Sequence, residues 1–373
     1  MKSFFLLFFL CGFTFTQDLI EIRDKYKVPS LAAAFIKDGR EFKEVVGLRS
    51  ISHNILAANN DKWHFGSNGK SMTATLVAIL VERGIVDWKK NLSNYLPHYQ
   101  LHSDFKKLTL RELLAHRSGM TGEMKNYSNG KLREIYEDET KSPQIKRKLM
   151  AKLILSQRAT NSKDTLAYSN FGYVTVAVIL NEITGQSWEK LIQTYLFNPL
   201  GLKTCGFGAA GKSDHKSPIQ PWPHYLYEKK VYSLPPNNKY SDNFPVLAPS
   251  GSIHCSLSDW MNYAQLHLDG LNQKDTKILK RRSFKYLHSD YKNQNYTSGG
   301  FIFEKRNGNI YLGHNGSNRL NYSLFVLDAE NNSAFVAVTN IDGGRGDKAA
   351  KAAMKSIGSP DVCMKNGFCL LSE

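Results

Sequence analysis

The 373-residue chain is 42% hydrophobic and 22% charged, an ordinary globular composition that excludes collagen-like, low-complexity and membrane-bundle architectures. Lysine and arginine number 49 against 33 acidic residues, and the net charge of +16 suits a nucleic acid, an anionic cell wall or an acidic membrane surface. The basic residues are scattered, form no long arm and accompany no recognisable binding motif, so nucleic acid is not an expected partner. A lysine-rich soluble surface, or association with an anionic wall or membrane surface, accounts for the charge.

In chain order, Met1 and Lys2 precede an apolar run from Phe4 to Phe15 that closes on Thr16 and Gln17. This is the pattern of a signal peptide over 1–17, too short for a bilayer span of about 20 apolar residues. It predicts an exported chain, extracellular or periplasmic, with 18–373 as a single catalytic unit. Cys11 leaves with the signal, and Cys205, Cys255, Cys363 and Cys369 form an even set suited to disulfides with three pairings open. Cys363 and Cys369 are spaced to close a small terminal loop, and without a histidine cluster zinc is not expected. Asn-x-Ser/Thr sequons begin at Asn91, Asn126, Asn295, Asn315, Asn321 and Asn331.

Next, Leu31 to Ile36 and Phe42 to Val46 predict a hairpin around Asp38-Gly39. Helical spacing follows over Ser71 to Glu82, Leu108 to Ala115, Phe171 to Ile183 and Trp188 to Leu196, the last broken by Pro199. Ala209 to Pro249 has no clean period and reads as a long surface excursion. Phe301 to Phe303 and Ile310 to Leu312 flank the tight-turn pair Asn307-Gly308, the runs Leu324 to Leu327 and Ala334 to Val338 follow, and Lys348 to Ile357 reads as an Ala-rich helix. The economical solution is an α+β fold. One antiparallel sheet is built from both termini (about 18–66 and 250–357) and flanked by helices, with a mostly helical insertion (about 67–249) and a tail over 358–373.

Three motifs carry chemistry. In Ser67-Asn68-Gly69-Lys70 a helical turn brings the lysine amine to the serine hydroxyl, and burial of the amine would make it a base. The same spacing recurs at Ser103, Ser128, Ser187, Ser213 and Ser289, but only Ser67 sits where Trp63, His64, Phe65 and Gly66 lead into an apolar helix; Ser187 reads as an N-cap. Tyr168-Ser169-Asn170 precedes another apolar helix: a phenol near a lysine can pass a proton, and Asn170 can bond substrate and lysine together, unless it serves only as the helix cap. His314-Asn315-Gly316-Ser317 ends a late strand, where a glycine lets a substrate approach and the next N–H can complete an oxyanion hole.

In this order the motifs resemble the serine β-lactamase and penicillin-binding-protein superfamily, and within it the class C β-lactamase-related group. The likeness covers about Ile22 to Ile357 and includes Leu108 to Met120, Asn181 to Gly185 with Asn198-Pro199-Leu200-Gly201-Leu202, and Pro249 to Trp260. It implies a β-lactamase/transpeptidase-like fold and a secreted serine hydrolase. Ser67 would form an acyl-enzyme on an amide, peptide or ester, Lys70 and Tyr168 would manage the proton, and Asn170, His314, Gly316 and Ser317 would bind substrate. The N–H groups of Ser67 and Ser317 would hold the oxyanion, and no cofactor or metal is implied. β-Lactamases of this superfamily commonly carry lysine where His314 stands, so the resemblance favours D-Ala-D-Ala carboxypeptidase, D-aminopeptidase or esterase activity over β-lactamase activity. A catalytically idle binding or scaffold protein on the same fold is the contrasting class.

Overall fold

The computed structural model describes residues 15–122, 130–163, 165–211 and 216–372. Most of the expected signal segment, the sequon at Asn126 and the serine motifs at Ser128 and Ser213 lie outside them. Residues 15–26 form a helix that the sequence reading did not anticipate, with Leu19 fully buried and Phe15 edge-on to Phe35. No described helix is long and apolar enough to cross a membrane.

Strands β1 (Ser30–Lys37), β2 (Arg40–Ser50) and β3 (His53–Leu56) are followed by short β4 (Lys62–His64), β5 (Gly206–Phe207), β6 (His224–Tyr227), β7 (Lys230–Ser233) and β8 (Ile253–Ser256). Strands β9 (Ile302–Arg306), β10 (Asn309–Ser317), β11 (Tyr322–Asp328) and β12 (Ser333–Thr339) complete the set. The main sheet runs β3-β2-β1-β12-β11-β10-β9, so strands from both ends meet at the antiparallel pair β1 and β12, with Leu31 opposite Thr339 and Lys37 opposite Ser333. Both expected hairpins close on two residues with positive φ, Asp38-Gly39 between Lys37 and Arg40 and Asn307-Gly308 between Arg306 and Asn309.

The centre of the sheet is buried on both faces, and strand alternation sorts its side chains. Ala32, Ala34, Ile36, Phe325, Leu327, Val336 and Val338 join the helical core, whereas Leu31, Ala33, Leu324, Val326 and Ala337 pack against the terminal helices, including Arg345–Ser356. This double coverage makes β11 and β12 continuous apolar runs rather than alternating ones.

Within the mostly helical middle of the chain, β5 joins a small sheet in the order β4-β8-β5, and β6–β7 forms a separate hairpin. Two expectations for this region are corrected. The stretch read as a surface excursion is anchored by buried Trp222, whose N–H donates to the Arg49 carbonyl (2.8 Å), and by fully buried His224. The helix expected to run to Leu196 changes at Ile192 into a π turn over Gln193–Phe197 before Pro199. Disulfides join Cys205 to Cys255 and Cys363 to Cys369.

Candidate active site

Three elements converge on Ser67. The residue lies in a 3-10 turn, Gly66–Asn68, that runs directly into the helix Gly69–Glu82. Gly66 takes φ +52, and a Cβ there would fall 2.4 Å from the N of Ser317. Across the contact, a Cβ on Gly316 would meet the Phe65 carbonyl at 2.0 Å and the Ser67 N at 2.9 Å. Only glycine at both positions lets the end of β10 approach the turn that carries Ser67, which brings the amide groups of residues 67 and 317 together. The turn is held from below: Asn68 donates to the Ser323 hydroxyl (2.7 Å), which donates to the Phe65 carbonyl (2.8 Å), and Phe65 stacks on buried Trp260 at 3.9 Å between ring centres.

Lys70 is fully buried. Its Nζ lies 3.0 Å from Ser67 Oγ, 2.8 Å from Asn170 Oδ1 and 2.7 Å from the Ser250 carbonyl, and among the described residues no carboxylate pairs with it. Desolvation holds its pKa well below 10.5. As a neutral amine its two N–H bonds satisfy the two carbonyl oxygens, so its lone pair is left for the Ser67 hydroxyl.

The Tyr168 phenol lies near enough to the Ser67 side chain to feel its hydroxyl, and its ring lies 4.8 Å from Lys70 Nζ. The residue is 43% exposed along the cleft, yet desolvation around its phenol raises the pKa above 10.0, so it stands protonated at neutral pH. The helix cap is Ser169, whose hydroxyl accepts from the Phe171 N–H (3.2 Å), and the alternative of Asn170 as the cap does not hold; this frees the Asn170 side chain for Lys70.

His314 is 4% exposed and lies within 5.9 Å of the Tyr168 ring. Burial pushes its pKa down to about 4, helped at low pH by the protonated form of Lys70, so the imidazole is neutral at pH 7. Its Nδ1 donates to the Asn315 carbonyl, which leaves Nε2 as an acceptor. The Ser317 hydroxyl donates to Asp342, fixing the end of β10. The sequence reading thus placed Ser67, Lys70, Tyr168, Asn170, His314, Gly316 and Ser317 in one site, and the structure brings all seven together. The sequons at Asn295 and Asn321 are buried and that at Asn315 lines the cleft, so none of the three is a free surface position.

Sequence reasoning missed two contributors. His116, fully buried at φ +57, accepts the Ser169 N–H on Nδ1 (3.1 Å), its carbonyl accepts the Ala167 N–H (3.0 Å), and its ring lies 4.2 Å from that of Tyr168. It therefore grips both sides of the tyrosine. The second is the C-terminal loop: Met364, Asn366 and Phe368 line the cleft of about 450 Å³ that contains Ser67, Tyr168 and His314. Among the described residues the one group of three potential metal ligands is Asp361 with Cys363 and Cys369, whose sulfurs are already joined.

A family model described as Beta-lactamase matches residues 15–358, and the chain belongs to that family, whose members are serine hydrolases. More particularly, it is 25% identical over 240 residues to a putative penicillin-binding protein, PbpX, of Bacillus subtilis, covering 64% of this chain and 53% of the relative. It is 22% identical over 327 residues to protein flp of Staphylococcus aureus, covering 85% and 61%. The chain thus spans between half and two thirds of the length of these curated relatives. In three dimensions it is similar to an octameric penicillin-binding protein homologue from Pyrococcus abyssi (TM-score 0.74, 18% identity, 93% of this chain and 77% of that one). It is also similar to a D-amino acid amidase from Ochrobactrum anthropi complexed with L-phenylalanine amide (0.69, 17%, 92% and 98%).

Proposed function

We propose that the chain is a secreted acyl-enzyme hydrolase of amides, peptides or esters, of D-Ala-D-Ala carboxypeptidase, D-aminopeptidase or esterase type, with Ser67 as nucleophile. The observation that carries this reading is the buried amine of Lys70 held against the Ser67 hydroxyl by two carbonyl oxygens.

Ser67 Oγ attacks the carbonyl carbon as its proton passes to Lys70, and the oxyanion forms between the N–H groups of Ser67 and Ser317. The leaving nitrogen or oxygen takes a proton from the Tyr168 phenol, which the proton held on Lys70 replaces. Water then attacks the acyl carbon, gives its proton to the same relay, and Ser67 departs with a proton restored. Because the phenol is raised above its ordinary pKa, Tyr168 starts as a donor and Lys70 is the base.

Substrate choice is supported by His314. A neutral imidazole with a free acceptor suits an N–H or O–H donor on the substrate and gives no attraction to a carboxylate, so among these activities it favours esters and neutral amides over lactams and over a carboxylate-ended D-Ala-D-Ala peptide. Both disulfides are in keeping with export. Steady-state hydrolysis of p-nitrophenyl esters, D-aminoacyl amides, a D-Ala-D-Ala peptide and nitrocefin tests the reading. It predicts a higher kcat/KM for an ester or amide than for nitrocefin, and nitrocefin as the fastest substrate would contradict it.

A further inference from the structure

The tail after the last helix is built into the molecule. Val362, Leu370 and Leu371 are buried, and a Cβ on Gly313, next to His314 in β10, would fall 2.6 Å from Leu370 Cδ1. The loop between the joined cysteines is held at several points. The Cys363 N–H donates to Glu304 (2.7 Å), the Lys365 N–H to Asn295 Oδ1 (3.0 Å), the Met364 N–H to the Phe368 carbonyl (2.7 Å) and the Leu371 N–H to Asp361 (2.7 Å). So fixed, it sets Met364 and Phe368 at the cleft that Leu166, Tyr296 and Ile302 also line, while Phe368 remains 45% exposed.

An anchored loop that leaves a large apolar ring uncovered beside a nucleophile has an unfilled apolar surface. We infer that the Cys363–Cys369 loop is a specificity wall: with Leu166, Tyr296 and Ile302 it forms an apolar subsite for an aryl or branched-alkyl substituent next to the carbonyl that Ser67 attacks. The inference rests on the acyl-enzyme reading for the identity of that carbonyl, but the subsite binds without chemistry. Phe368 and Met364 determine specificity and take no part in proton transfer.

The test separates the two. Ser67→Ala and Ser67→Ala/Phe368→Ala are titrated by NMR with N-phenylacetylglycinamide and N-acetylglycinamide. In parallel, wild type, Phe368→Ala and Cys363→Ser/Cys369→Ser are assayed on p-nitrophenyl phenylacetate and acetate. Loss of the ring should weaken phenylacetyl binding about tenfold, leave the acetyl compound within twofold, and lower the phenylacetate-to-acetate ratio of kcat/KM by a similar factor. The double cysteine variant, with the loop freed, should lower the ratio as well. Phenylacetyl binding that is equal or undetectable in both titrated proteins overturns the subsite, as does an unchanged ratio in both loop variants that still hydrolyse both esters. A wild type inert toward both esters, with Phe368-dependent binding intact, ends the acyl-enzyme reading and upholds the subsite.

Discussion

Asn170 Oδ1 accepts a hydrogen bond from Lys70 Nζ at 2.8 Å, across 100 residues of sequence, and this neutral partner brings no negative charge that would favour the ammonium. Desolvation lowers the Lys70 pKa, and an amide, unlike a carboxylate, does not raise it again. Activity that needs the neutral amine is present above the Lys70 pKa and lost as pH falls through it. In Asn170→Asp the new carboxylate favours the ammonium, so the acidic limb of kcat/KM moves to higher pH. A pH profile of ester hydrolysis reads the shift, and an unmoved limb would remove Lys70 from the role of base.

Lys70→Ala and Tyr168→Phe should each slow acylation by about 10²- to 10⁴-fold, the usual range for loss of a general base or acid. Lys70→Arg should not restore the rate, because a guanidinium stays charged. Stopped-flow release of p-nitrophenol checks all three; near-normal turnover in either single variant would refute the proton-transfer roles.

His314, with its pKa pushed down to about 4, becomes cationic only as pH falls toward that value. At pH 7 the site therefore lacks a positive charge at this position. His314→Lys places one there, and KM for nitrocefin, which carries a carboxylate, should fall about tenfold, with KM for a neutral ester changed less than twofold. Equal KM values for nitrocefin in the two proteins would show that residue 314 does not face the carboxylate.

His116 holds Tyr168 through its neighbours Ala167 and Ser169 and is a positioning residue. His116→Leu should lower kcat by about 10- to 100-fold with KM within twofold, as expected for a misplaced proton donor. His116→Asn keeps an acceptor near the position of Nδ1 and tolerates positive φ, so it should recover part of the loss. Matched far-UV circular dichroism with a fall in KM-independent rate supports positioning, and a leucine variant with wild-type kcat would contradict it.

The features legible from residue chemistry alone were mostly local, while the grouping of the three distant motifs rested on their order and the family resemblance. The Ser67–Lys70 pairing follows from one helical turn, and both tight hairpins from Asp-Gly and Asn-Gly. What escaped reading depends on long-range contacts. Strands of two to four residues such as β4, β5 and β8 are too short to show alternation and exist because they pair with one another. His116 is a lone histidine whose role appears only when Ser169 meets its ring. The tail's place at the cleft rests on Leu370 filling the space above Gly313, a pairing that neither residue announces in sequence.

The central claim is that Ser67, deprotonated by Lys70, is the atom that bonds to substrate. Intact mass and peptide mapping after treatment with a fluorophosphonate test it most directly. One adduct per chain on Ser67, absent in Ser67→Ala and strongly slowed in Lys70→Ala, is the predicted result. An adduct of unchanged yield and rate in Ser67→Ala would contradict it.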